Sequence, residues 1–151
     1  MKLPTLEELL AYKNPAVLKL YVQNYPNNKL SAEAAFSEIL KYLWLAKNHQ
    51  MQQQSDVVDD TLPDRCVMLQ SMREIDEMWH EFILFTKDYS DFCQQYFGEY
   101  MHHMPNVFDN MPISREKETE EIEKLLPYIY DNLGEDTMRI WFADYLEQAN
   151  H

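Results

Sequence analysis

Glycine occurs only twice in 151 residues, at Gly98 and Gly134. A sandwich or barrel of many strands needs tight reversals with positive φ at many of its turns, and glycine is the residue that supplies them most readily. Two such positions do not serve a chain of this length, so the backbone is expected to travel in helices. Hydrophobic residues make up 46% and aromatics 13%, enough apolar surface to offset the entropy of ordering one core. The chain is therefore predicted to be all-α, a single-domain bundle of about five or six helices spanning residues 1–151.

The periodicity places those helices. Asn14 can cap and Pro15 can open a short helix that ends before Pro26. Ser31 is the N-cap of a longer one, in which Phe36, Ile39, Leu40 and Leu43 share a buried face that Trp44 broadens. Residues 51–65 lose the pattern and read as an exposed connection. From Met72 it returns, with Ile75, Met78, Trp79, Phe82, Ile83 and Thr86 along one side. After a turn near Lys87 and Asp88, a second helix carries Tyr89, Phe92, Cys93, Tyr96, Phe97 and Tyr100 and runs until Pro105 stops it. Gly98 inside it points to a close backbone approach. Ser114 can cap a strongly charged helix that Pro127 should kink or divide and Gly134 should end. Met138, Trp141, Phe142 and Tyr145 form the apolar face of a last helix.

Charge excludes some functions. The formal net charge is −13, and such a field repels phosphate backbones and anionic lipid surfaces, so neither nucleic acid nor a membrane is an expected partner. A basic protein partner or a cation suits that field. Glu7 and Glu8 interrupt the N-terminal apolar stretch, which does not read as a signal peptide, and no segment approaches the ~18 apolar residues of a membrane span. Cys66 and Cys93 in such a chain are expected to be reduced thiols or ligands, and the compartment to be the cytoplasm.

Residues 72–105 concentrate the chemistry. Asp76 and His80 stand four apart, one turn above the other on the same helix face. Cys93 follows on the next helix, and His102 and His103 close the segment. Carboxylate, imidazole and thiolate are the donors that suit zinc, and two histidines with a carboxylate suit iron. If the second helix continued to Pro105, His103 would lie about 80° from the direction of Cys93 and His102 about 180° from it, so His103 is the better ligand and His102 the reserve. On this reading a transition metal, zinc first, is held by His80, Cys93 and His103, with Asp76 as a fourth ligand or as the acceptor that orients His80. The same residues have structural explanations: a helix ion pair, a small apolar core residue, and histidines at a helix C-terminus. The protein would then be a metal-free interaction module. A nucleophilic role for Cys93 is disfavoured by its aromatic, apolar setting, which raises a thiol's pKa.

The run Asp76-x-x-Trp79-His80, Phe82-Ile83-Leu84-x-Thr86-x-x-Tyr89-x-x-Phe92-Cys93, Phe97-Gly98, His102-His103-x-Pro105 resembles a pattern in small bacterial proteins of unassigned function. It is also similar to the repeated segment of the glycine-rich domain-containing proteins of plants, although the glycine-rich region that names them is absent here. That family has no settled activity. The resemblance implies a shared site at Asp76, His80, Cys93 and the histidine pair, and no reaction.

Overall fold

One long helix organises the fold. The computed structural model describes residues 2–64, 66, 68–103 and 115–143, with the side chains of residues 70 and 115–119 left aside. Helix α3, Ala32–Gln53, is 22 residues and thus about 33 Å long. It is preceded by α1 (Leu6–Leu10) and α2 (Pro15–Asn24). It is followed by a 3-10 turn at Gln70–Met72, then α4 (Arg73–Leu84), α5 (Thr86–Phe97), α6 (Arg115–Leu133) and α7 (Glu135–Trp141). Helix α3 packs against α1, α2, α4 and α6, while α4 also touches α2 and α5, and α7 lies on α6. The protein is all-α, with seven α-helices and no strand among the described residues. None of those helices is long and apolar enough to cross a membrane.

The caps form as their chemistry dictates. The Asn14 side chain accepts from the Val17 amide with Pro15 next to it, and the Ser31 hydroxyl accepts from Ala34. Phe36, Ile39, Leu40 and Leu43 are all buried. The additional helix beyond the five or six expected is α1, only five residues long and capped by Thr5. That is too short for a periodic pattern to show.

Three boundaries differ from the sequence reading, each for a local reason. The reversal between α4 and α5 is one residue, Phe85, and not the neighbourhood of Lys87 and Asp88, which already belong to α5. A Phe85 backbone at φ −85°, ψ 71° breaks the helix while its ring stays packed on the core. Helix α5 ends at Phe97 instead of running to Pro105, because Gly98 takes the left-handed conformation at φ 74° and its N–H closes on Gln94. Gly98 is therefore a helix stop, not an interior residue. Helix α6 continues through Pro127 undivided. Pro127 lies on the exposed side, where water can satisfy the carbonyl left without its N–H, while Ile122, Leu125 and Ile129 stay buried on the core side. Gly134 does end α6, at φ 94°, with its N–H on the Tyr130 carbonyl. On α7, Trp141 and Phe142 are buried as expected. Pro105, Ser114 and Tyr145 lie outside the described residues.

Helix α4 is the element that positions the site. Its Ile75, Met78, Trp79 and Phe82 enter the core. On another side three carboxylates hold the α2 end of the molecule. Glu74 accepts the backbone N–H groups of Lys29 and Leu30 at 3.0 and 2.8 Å, Glu77 accepts from Asn28 at 3.1 Å, and the buried Glu81 accepts from Asn24 at 2.9 Å. With two faces tied down, the helix cannot turn about its axis, and the remaining face carries Asp76 and His80.

Candidate metal centre

Asp76 and His80 point from that face one turn apart, with His80 Nε2 3.4 Å from Asp76 Oδ2. His103 reaches them from a different element. After Gly98 reverses the chain, residues 99–103 return toward α4 without helical structure. His103 Nε2 comes to 2.7 Å from Asp76 Oδ1 and 3.0 Å from His80 Nε2. The three donor atoms lie within 4.8 Å of one another. Their side chains are 27% (Asp76), 48% (His80) and 19% (His103) exposed, so the group sits at the surface with one open side.

The same geometry can be read with protons or with a cation. If both Nε2 atoms carry hydrogen, each N–H has its own carboxylate oxygen, Oδ1 at 2.7 Å for His103 and Oδ2 at 3.4 Å for His80, with the two nitrogens 3.0 Å apart. If only His103 does, its one proton is divided between Asp76 Oδ1 and His80 Nε2, and the His80 lone pair faces the lone pairs of Asp76 Oδ2. If only His80 does, the His103 lone pair confronts the carboxylate at 2.7 Å. A divalent cation accepts all three lone pairs at once. Ligand bonds of about 2.0–2.2 Å place adjacent ligand atoms about 3.0–3.5 Å apart, close to the separations found.

The surrounding side chains are aromatic. The Trp79 ring meets the His103 ring at 4.3 Å between centroids, and the two histidine rings meet at 4.6 Å. Trp79 Nε1 donates to the Tyr89 hydroxyl at 3.0 Å, and that hydroxyl donates to the Met101 carbonyl at 2.5 Å.

The other two residues singled out in the sequence go elsewhere. Cys93 is fully buried on α5, where its thiol interacts with the Tyr89 hydroxyl and the Met101 backbone, and it is not in the group formed by Asp76, His80 and His103. Burial pushes its pKa up, which keeps it in the unreactive thiol form. His102 is exposed, with its ring 4.8 Å from that of Tyr100. It lines a groove of about 430 Å³ with Ala46, Gln50, Glu99, Tyr100 and Met101. The Lys47 ammonium, 2.7 Å away, holds the Glu99 carboxyl in this groove below its usual range.

Sequence reasoning counted Trp79 and Tyr89 as core and missed their joint hold on the 99–103 segment. A tryptophan next to a candidate ligand is the one local signal. Nothing in the spacing shows that a tyrosine on α5 bonds a carbonyl beyond the helix end.

Residues 57–125 match the model of an uncharacterised family described as UCP032817-like, a stretch that takes in the 3-10 turn, α4, α5, the three converging side chains and the first part of α6. No curated protein and no solved structure matches the chain. The segment similar to that family, whose function is unassigned, is the part of the molecule that builds the Asp76, His80 and His103 group.

Proposed function

We propose that the protein binds one divalent transition metal ion through Asp76, His80 and His103. The observation that carries this reading is the convergence of two imidazole nitrogens on one carboxylate: His80 Nε2 and His103 Nε2 stand 3.0 Å apart, at 3.4 Å from Asp76 Oδ2 and 2.7 Å from Asp76 Oδ1 respectively. Two imidazoles and one carboxylate suit zinc, and they suit iron(II) equally well when the thiol is left out. Cys93 and His102 are then no ligands: the first acts from within the core and the second faces the groove. The motif from Asp76 to Pro105, with its likeness to small bacterial proteins and to the plant segment, marks the site on this reading.

Three protein ligands on one side leave coordination positions toward solvent. Structural zinc sites close with four protein ligands, whereas sites that act on water or a substrate keep a place free. The Asp76, His80 and His103 site has the second form.

Elemental analysis of protein purified without an affinity tag, followed by zinc and iron(II) titration of the metal-free form, tests the proposal. About one equivalent of metal, lost in the His80→Ala and His103→Ala variants and retained in Cys93→Ser, is the expected result. Protein that carries no metal and binds neither ion returns the motif to a packing role in a metal-free interaction module.

A further inference from the structure

Asp76 and His80 belong to one helix and meet through its geometry alone. His103 has to be delivered by the non-helical segment 99–103, which Lys47 of α3 grips at Glu99, four residues before the imidazole. We propose that Tyr89 is the positioning residue that delivers it, a proposal that rests on the cation site argued above. The Tyr89 hydroxyl is gripped from one side and grips the other: it accepts from the Trp79 indole at 3.0 Å and donates to the Met101 carbonyl at 2.5 Å, two residues before His103.

The surroundings hold that hydroxyl in place. Tyr89 is fully buried, with the edge of Phe82 at 5.0 Å between centroids and that of Tyr100 at 5.1 Å. Cys93, one turn further along α5, adds a thiol interaction with the same hydroxyl and with the Met101 backbone. Trp79 acts at both ends of the link. Its N–H fixes the tyrosine that fixes Met101, and its ring lies against the imidazole of His103 itself, 4.3 Å between centroids. Helix α4 therefore sets all three donors: Asp76 and His80 as its own residues, and His103 through Trp79 and Tyr89. Groups that orient a ligand in this way typically change metal affinity by about 10–100-fold when removed.

A second buried tyrosine separates positioning from stability. Tyr42 also donates its hydroxyl to a backbone carbonyl, that of Cys66 at 3.2 Å, and Cys66 belongs to the connection before α4 rather than to the 99–103 segment. Losing either hydroxyl leaves a part-buried carbonyl short of a donor. Only the loss at Tyr89 should reach the metal. The probe is cobalt(II), whose visible absorption reports ligand number and symmetry, titrated into metal-free wild type, Tyr89→Phe, Tyr42→Phe and Trp79→Phe, with circular dichroism to confirm the helical fold.

The expected result is an about 10–100-fold weaker cobalt(II) affinity and an altered absorption band in Tyr89→Phe, the range typical of ligand-orienting groups. Trp79→Phe, which keeps a ring against His103 but loses the N–H, should weaken binding in the same direction and by less. Tyr42→Phe should melt earlier and bind cobalt(II) as wild type does. Wild-type affinity and spectrum in Tyr89→Phe would overturn the proposal, as would an equal loss in Tyr42→Phe. Should Tyr89→Phe fail to fold, Trp79→Phe decides alone: wild-type binding there sinks the assignment. A wild-type protein that binds no cobalt(II) removes the cation site and this inference together, an outcome distinct from binding that ignores Tyr89.

Discussion

Two polar clusters, each anchored by a carboxylate, differ in the nitrogen groups that meet the acid. Around Glu38, buried on α3, they are fixed donors: Lys41 Nζ donates to Oε1 at 3.1 Å and to Thr137 Oγ1 at 3.2 Å, and Trp141 Nε1 donates to Oε2 at 3.1 Å. That cluster ties α7 to α3. Around Asp76 the carboxylate instead meets two imidazole nitrogens, groups that can present either an N–H or a lone pair. On the proposal above, that second choice is what lets the Asp76 cluster take a cation. Both contain an acid, a nitrogen group and an adjacent tryptophan, so what separates them is whether the nitrogen can offer a lone pair: an ammonium and an indole N–H cannot, and an imidazole can.

The comparison can be broken most sharply at the Asp76 cluster. Replacing His103 by alanine should weaken zinc binding by about a thousandfold, equal to about 4 kcal/mol, and shift the melting temperature of the metal-free protein little, because Asp76 and His80 remain hydrated at the surface. Isothermal titration and a thermal melt of the same preparation check both halves. A His103→Ala protein that binds zinc normally would show that the Asp76 cluster is as self-sufficient as the Glu38 one.

The reverse test is Glu38→Ala. It strands the Trp141 N–H and the Lys41 ammonium in a mostly buried place, for a loss of about 3 kcal/mol measured by urea unfolding, with zinc affinity unchanged. Loss of zinc binding in a folded Glu38→Ala protein would mean that the two clusters are not independent.

The smallest effect concerns alkaline pH and comes mainly from burial in the core. Burial pushes the Cys66 thiol up to about 12 and raises the Tyr42 phenol as well. An unfolded chain releases the thiol proton near pH 8.5, while the folded chain keeps it, so the folded state binds more protons and stability falls as pH rises. The contribution is whole below pH 8.5 and shrinks by about 1 kcal/mol for Cys66 by pH 9. Urea unfolding of metal-free wild type and Asp76→Asn between pH 7 and 10 should give parallel curves. Diverging curves would place part of the alkaline loss at the site.

Much of this was legible before any coordinates. The scarcity of glycine and the three- and four-residue spacing of apolar side chains led to an all-α fold, because both follow from local backbone geometry. Asn14 and Ser31 announced their helices through hydrogen bonds to residues three positions away. Asp76 and His80 could be paired on the page for the same reason, since the helix repeat alone sets their distance. His103 and Cys93 could not be judged that way. The angular reasoning assumed a helix running to Pro105, and Gly98 ends that helix at Phe97. His103 nevertheless arrives beside Asp76, by a returning segment and not by helix rotation, while the Cys93 thiol turns to Tyr89 and Met101.

The division follows the range of the forces involved. Helix type, caps and the i,i+4 acid and imidazole pair depend on neighbours within a turn, and the amino-acid order determined them unaided. Which thiol faces the core, which of two adjacent histidines meets the carboxylate, and which tryptophan N–H holds which hydroxyl depend on residues 10 to 27 positions apart. Those were decided only when α4, α5 and the segment after Gly98 packed together, because such a contact exists only once the core between its partners has closed.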